Sequence, residues 1–238
     1  YVDSRKSRKA GAATLFQTSE PQRRTPSQIF SGRKLTEYRD AQSWDKEFPR
    51  ATDAVKRLSG GIDKLFARIE KGEPLDIEGI KQSVNPMIDS VVRNPDACIW
   101  LARLKQQDQY TYQHSLGASI WAVALGRQLG LPKKDLRSLA MGGLLFDVGK
   151  LAVEPELLNA NRPLTESEFQ SVKNHVRLGV EMVREAGNLP ADVIDMIEHH
   201  HERHDGSGYP HGLKGDEIPV FARIAAIVDF YDAITSHR

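Results

Sequence analysis

A single cysteine, Cys98, excludes an internal disulfide framework and fits a reducing, cytoplasmic setting. No apolar run reaches the ~20 residues of a membrane-spanning helix, and no secretory leader pattern is visible. Charge of one sign is missing as well: 33 Lys+Arg meet 32 Asp+Glu, a net charge of +1. That balance argues against a dedicated nucleic-acid binder. No convincing strand appears either; the apolar residues recur at helical spacings. They make up 39% of the 238 residues, enough to build a core in one large or two small domains.

What the chain does have is histidine, unevenly placed. Five of the 8 lie in His199-His200-His201-Glu202-Arg203-His204 and at His211. A neutral imidazole is a good metal donor near pH 7. The Asp205-Gly206-Ser207-Gly208-Tyr209-Pro210 that follows is turn chemistry, with glycines that permit positive φ and a proline that stops regular structure. Taken alone, these residues fit a solvated helix end as well as a metal site.

Residues 1–38 are basic and polar, with the composition of a flexible linker or of the end of an upstream domain. A chain that begins on Tyr1 and stops at Arg238 is expected to be a piece of a longer protein. Residues 39–95 read as helical. Trp44, Phe48, Ala51, Val55, Leu58, Ile62, Leu65 and Ile69 alternate four and three apart, which makes one apolar seam. Gly60 and Gly61 weaken that helix and are candidates for a break. A second seam follows at Ile77, Ile80, Val84, Met87 and Val91. Two arrangements stay open: the helices fold back on each other and on the next domain, or they form a parallel homodimer stalk.

Residues 96–238 read as consecutive helices. His114 shares an apolar face with Gly117, Ala118, Trp121 and Leu125. Leu136, Leu139, Ala140, Gly143 and Leu144 lead to Asp147, then Lys150. Thr165-Glu166-Ser167-Glu168 is a capping box, opening a helix with Phe169, Val172, Val176, Val180 and Val183 inward and His175 beside them. Val193, Ile194 and Ile197 lead into His200 and His201. The last helix, about Pro219 to Thr235, is expected to bury Ile224, Ile227 and Val228, with Asp229 adjacent. The fold class is all-α, a helical bundle.

His114, Asp147, His175, His200, His201 and Asp229 therefore sit on or beside apolar faces. One such residue is ordinarily a satisfied core histidine or a cap. Six in one bundle point to pairing or metal, because a buried carboxylate costs several kcal/mol unless it is paired or ligating. Mixed imidazole and carboxylate donors suit Fe, Mn, Ni or Zn, and Asp147 could bridge two ions.

From about Ile99 onward the chain resembles the HD-GYP domain, a branch of the HD phosphohydrolase superfamily. The resemblance is carried by Tyr112-Gln113-His114-Ser115, by His200-His201-Glu202-Arg203 with Asp205 to Pro210, by Gly212 to Pro219, and by Asp229-Phe230-Tyr231-Asp232-Ala233-Ile234-Thr235. It implies an HD-type bundle and metal-dependent hydrolysis of cyclic di-GMP to pGpG or GMP. It further implies one or two divalent transition metals per chain, with Fe, Mn or Ni ahead of Zn. Asp147, His175, His200 and His201 would hold one metal. His114, Asp147 and Asp229 would hold the other, with a histidine just before Asp147. Lys150 would meet the scissile phosphate and Arg238 another phosphate. Tyr209 would line the substrate, in a loop with Gly206, Gly208 and Pro210 that is also a surface for a diguanylate cyclase partner.

The chain departs from the pattern at three places. Phe146-Asp147-Val148-Gly149-Lys150 stands where the family has His-Asp-Ile-Gly-Lys, and phenylalanine cannot ligate. Tyr110 occupies a position that is glutamate in some members. Ala160-Asn161-Arg162-Pro163 replaces a Lys-Pro-Gly. Two functions stay open: a cyclic di-GMP phosphodiesterase with activity kept or reduced, and a noncatalytic relative that binds cyclic di-GMP or a protein. Hydrolysis of another nucleotide would leave the Gly-Tyr-Pro segment without a purpose.

Overall fold

The protein is described here by a computed structural model, which covers residues 29–104, 110–187 and 189–235. The helices are Trp44–Glu70 (α1), Ile77–Arg93 (α2), Pro95–Arg103 (α3), Tyr110–Gln128 (α4), Lys133–Leu145 (α5), Pro155–Leu158 (α6), Glu166–Lys173 (α7), His175–Glu185 (α8), Ala191–His199 (α9) and Val220–Thr235 (α10). A 3-10 turn spans Val148–Ala152. Among the described residues there is no strand, only one isolated bridge between Asp205 and Lys214. The chain is all-α.

Helix boundaries follow local chemistry. Asp76 caps α2 by accepting from the Gly79 amide at 2.9 Å. Asn94 caps α3, with Pro95 at its first position. The Thr165/Glu168 capping box forms as its spacing implies. Its helix stops at Lys173, however, and Asn174 separates it from α8. Phe169 is therefore on an exposed surface rather than inward. Ile227 is exposed too, at 59%, because the inner face of α10 runs through Phe221, Ala222, Ile224, Ala225, Val228 and Asp232.

The two N-terminal helices fold back on each other. Ala51, Leu58, Ile62 and Leu65 of α1 are buried in the same core as Ile80, Val84, Met87 and Val91 of α2. The seam that would have built a parallel stalk is thus consumed within the chain. Gly60 and Gly61 do not break α1. Gly61 instead permits close approach, since a Cβ there would overlap the Ser83 side chain. Buried Glu47 accepts from Ser90 and Arg93 at 2.7 Å each and pins α1 to α2.

The pair α4 and α5 lies at the centre. A Cβ at Gly143 would run into the Ser119 backbone, so glycine there sets how closely the two helices pass. One continuous core joins them to α1, α2, α9 and α10. The basic segment before α1, where described, runs along the bundle. Thr36 donates its amide to the Gly130 carbonyl at 2.6 Å, and Tyr38 donates its hydroxyl to Leu131 at 2.9 Å. Arg33 pairs with Asp135 of α5 at 2.7 Å and Asp192 of α9 at 2.9 Å. Its guanidinium also lies 4.7 Å over the Phe221 ring of α10.

Candidate metal centre

Every one of the six inward polar residues reaches the same interior point. His114 comes from α4, Asp147 from the turn after α5, His175 from the start of α8, His200 and His201 from the end of α9, and Asp229 from α10. Asp147 is the hub and is 2% exposed. Its Oδ2 lies 3.3 Å from His114 Nε2, and its Oδ1 lies 3.4 Å from His175 Nε2 and 3.5 Å from His200 Nε2. Asp229 Oδ1 is 3.1 Å from His114 Nε2. The Lys150 ammonium is 2.6 Å from Asp147 Oδ2.

Hydrogen bonds behind the imidazoles decide which nitrogen faces inward. His175 Nδ1 donates to the Val172 carbonyl at 2.8 Å, and His200 Nδ1 donates to the Ile197 carbonyl at 3.0 Å. His114 Nδ1 donates to Asp232 Oδ2 at 2.8 Å. In each ring Nε2 is the atom turned towards Asp147, the tautomer a metal requires. Asp147 Oδ1 is buried and accepts no hydrogen bond among the described residues. A carboxylate oxygen left so, beside imidazoles aimed at it, is an arrangement that a cation would satisfy.

Two overlapping donor sets result, each with its ligand atoms within 4.8 Å of one another. One comprises Asp147, His175, His200 and His201; the other comprises His114, Asp147 and Asp229. Imidazole with carboxylate suits a divalent transition metal. Phe146 is 1% exposed and sits at this centre, its ring centroid 5.4 Å from that of His114 and 4.9 Å from that of His200. The smaller set has three residues, and Phe146 packs against one histidine of each set.

Electrostatics divide along the same line. Burial would push the His114 imidazole down, but Asp147, Asp229 and Asp232 outweigh it and raise its pKa well above the usual value. Burial likewise opposes ionisation of Asp147, yet the Lys150 charge and the neighbouring His114 and His200 imidazoles hold it well below the carboxylate range. Desolvation dominates at His175, which is lowered to about 4, and it also lowers His201, aided by the neighbouring His200. His175 and His201 are therefore neutral beside an ionised Asp147, which is the protonation state for ligation.

The Gly-Tyr-Pro loop forms the rim. Tyr209 stacks on His201 with centroids 4.7 Å apart and planes at 25°. Burial and the charges of Asp147 and Asp229 push its hydroxyl pKa up. Gly208 is needed because a Cβ would overlap the His201 carbonyl and the Arg203 amide. Gly206 takes φ +82°, the left-handed region that glycine tolerates. Pro210 is exposed at the outer edge. Arg238, expected near a substrate phosphate, lies outside the described residues.

Residues 93–238 match the HD-domain family. The chain belongs to the HD-domain family. Its Gly-Tyr-Pro segment is that of the HD-GYP branch. It is 39% identical over 194 residues to the cyclic di-GMP phosphodiesterase PA4108 of Pseudomonas aeruginosa, covering 82% of this chain and 47% of that protein. It is 42% identical over 118 residues to the cyclic di-GMP phosphodiesterase response regulator RpfG of Xanthomonas campestris, covering 49% and 31%. A 3'3'-cGAMP-specific phosphodiesterase of Vibrio cholerae is 28% identical, over 92% of this chain and 43% of the relative. The chain thus spans less than half the length of these relatives. Among solved structures, Bd1817, a HDG"Y"P protein from Bdellovibrio bacteriovorus, has the same fold, with a TM-score of 0.66 at 22% identity, over 79% of this chain and 61% of that one. Among the described residues no helix is long and apolar enough to cross a membrane.

Three residues of this HD-domain centre were not singled out from sequence. Asp232, fully buried, orients His114; its spacing of three from Asp229 puts both on one face of α10, a signal that was available. Glu202 is 3% exposed and accepts from the amides of His211 (2.7 Å), Gly212 (3.1 Å) and Leu213 (3.0 Å), anchoring the loop to α9. Gly149 lets the 3-10 turn lie against α8, for a Cβ there would overlap the His175 carbonyl and the Gly179 amide.

Proposed function

We propose that this chain is the hydrolytic part of a metal-dependent phosphodiesterase that opens cyclic di-GMP to pGpG. The observation that carries the reading is the intact set of Asp147, His175, His200 and His201 with Lys150 beside it. That set would hold one tightly bound ion, with Fe, Mn or Ni ahead of Zn. His114, Asp147 and Asp229 would hold a second more weakly. When bound, such ions supply Lewis acidity and charge neutralisation for phosphoester cleavage. The chain's own residues do the rest. Asp147 stays ionised, and the backbone carbonyls of Val172 and Ile197 keep Nε2 of His175 and His200 presented. The Lys150 ammonium, 22% exposed, reaches the edge of the site and offsets charge that builds on a phosphate. Tyr209 lies flat over His201 and shields one wall from water.

Phe146 favours a second reading, in which the chain binds cyclic di-GMP without turning it over. The rim of Gly206, Gly208, Tyr209 and Pro210 would then serve as the contact surface, for the dinucleotide or for a diguanylate cyclase. Metal analysis of protein purified anaerobically, followed by cyclic di-GMP hydrolysis with added Mn or Fe, separates the readings. Metal with pGpG release supports the phosphodiesterase. Metal and cyclic di-GMP binding without product support the second reading. Protein that binds neither ion nor dinucleotide refutes both.

A further inference from the structure

A second concave site lies between α1 and α2 and shares no residue with the metal centre. It is a cavity of about 700 Å³, within the range of small-molecule sites. Its cationic wall is one stripe of α1 and its C-cap residue. Arg57, Lys64, Arg68 and Lys71 are spaced seven, four and three apart and project on the same side. Like charges at such spacings disfavour a helix. Of the four, only Arg68 has a carboxylate partner among the described residues, Glu73 at 3.4 Å. The facing wall is formed by Gly79, Ile80, Gln82 and Ser83 of α2 and by its N-cap Asp76, the one carboxylate there, which accepts from the Gly79 amide.

The floor is the telling part. Gly60 and Gly61 lie mid-helix, where glycine is a poor residue. Packing accounts for Gly61, as described above. Packing does not account for Gly60: a Cβ there would meet nothing within 4 Å. The open volume above Gly60 is instead flanked by Arg57 and Lys64, which have no carboxylate partner among the described residues. No aromatic ring lines the cavity, so a nucleobase would find no stacking platform.

We propose that this groove binds a compact polyphosphate anion, of the pyrophosphate class, held by Lys64, Arg68 and Arg57 over the glycine floor. Clustered guanidinium and ammonium groups with polar hydrogen-bonding partners opposite are the chemistry that recognises phosphate oxygens. The site does not depend on the activity proposed above.

The test is calorimetric titration of the chelator-treated protein with inorganic pyrophosphate at low ionic strength. One site per chain is expected. Lys64→Gln with Arg68→Gln should weaken binding at least tenfold, and Lys150→Gln should leave it unchanged. Gly60→Ala should raise the melting temperature while weakening binding severalfold, a combination that a purely structural glycine would not produce. The reverse dependence, with Lys150→Gln abolishing binding, would place the anion at the metal centre and overturn the proposal. Binding of cyclic di-GMP in the groove more tightly than pyrophosphate would overturn the assigned class. So would Lys64-dependent sedimentation with phosphatidylglycerol vesicles in the absence of pyrophosphate binding. No binding of any probe would overturn it outright.

Discussion

Replacing Phe146 by histidine tests whether an aromatic ring stands in a ligand's place. The ring is 1% exposed and packs between the imidazoles of His114 and His200 at 5.4 and 4.9 Å. Imidazole has a similar outline but carries two polar nitrogens. In metal-free protein at least one of them would be buried without a partner, at a cost of about 1–3 kcal/mol. For a chain of this size each kcal/mol lowers the melting temperature by about 2–4 °C. The metal-free variant should therefore melt roughly 2–12 °C below the parent. Metal should reverse the order. A ligand at a hundredfold excess over its Kd stabilises by about 2.7 kcal/mol, and Phe146→His would complete the smaller donor set. The assay is thermal melting of both proteins in chelator and in Mn, with metal content measured in parallel. A larger Mn-dependent gain in the variant, and more metal per chain, is the expected pair of results. If the variant binds no additional metal and melts lower in both conditions, Phe146 is simply part of the core and the reasoning fails.

Asp232→Asn keeps the shape beside His114 but weakens its hydrogen bond; metal affinity at the smaller set should fall about 10–100-fold, read by competition with a metal-sensitive dye. Gly149→Ala forces a Cβ into the His175 carbonyl, so the 3-10 turn and α8 must separate; loss of about 2–3 kcal/mol in urea melts is expected, with weakened metal binding. Arg33→Met removes a clasp on α5, α9 and α10 that is 32% exposed; a loss of about 1–3 kcal/mol is expected in the same melts, since Asp135 is left buried and unpaired. Metal-free stability should depend on pH in two directions. His175 has its folded pKa lowered from 6.5 to about 4, so only the unfolded chain takes up that proton between those values, and roughly 3 kcal/mol is lost as pH falls through the window. His114 has its folded pKa raised, so its contribution is full below 6.5 and declines as pH rises towards the folded value. A melting temperature of metal-free protein that peaks near pH 6.5 is expected; a profile flat from pH 4 to 6.5 would contradict the neutral state of His175.

Much of this protein could be read in one dimension. The helix faces at His114, Leu136 to Asp147 and Val193 to His201 are periodic over several turns, so spacing alone put the polar residues on inward sides. Turn chemistry at Asp205 to Pro210 was equally local. Errors arose where periodicity ran past a break or a helix met no neighbour. Phe169 fell on α7 once Asn174 ended it, and Ile227 faces outward because no described element covers that side of α10. The heptad seam of α1 was compatible with a partner in the same chain or in another, since an apolar stripe carries no address.

Residue type and spacing therefore determined, unaided, that the chain is helical and that imidazoles and carboxylates point inward; that Phe146 stands where a ligand is expected followed from the family resemblance. The first two are properties of a helix and its periodicity. Only the tertiary structure decided that the α1 seam closes on α2 and that Asp232 and Glu202 hold His114 and the loop. Distances between helices depend on how closely backbones approach, and that is set by contacts far apart in the chain, such as Gly149 against His175 and Gly143 against Ser119.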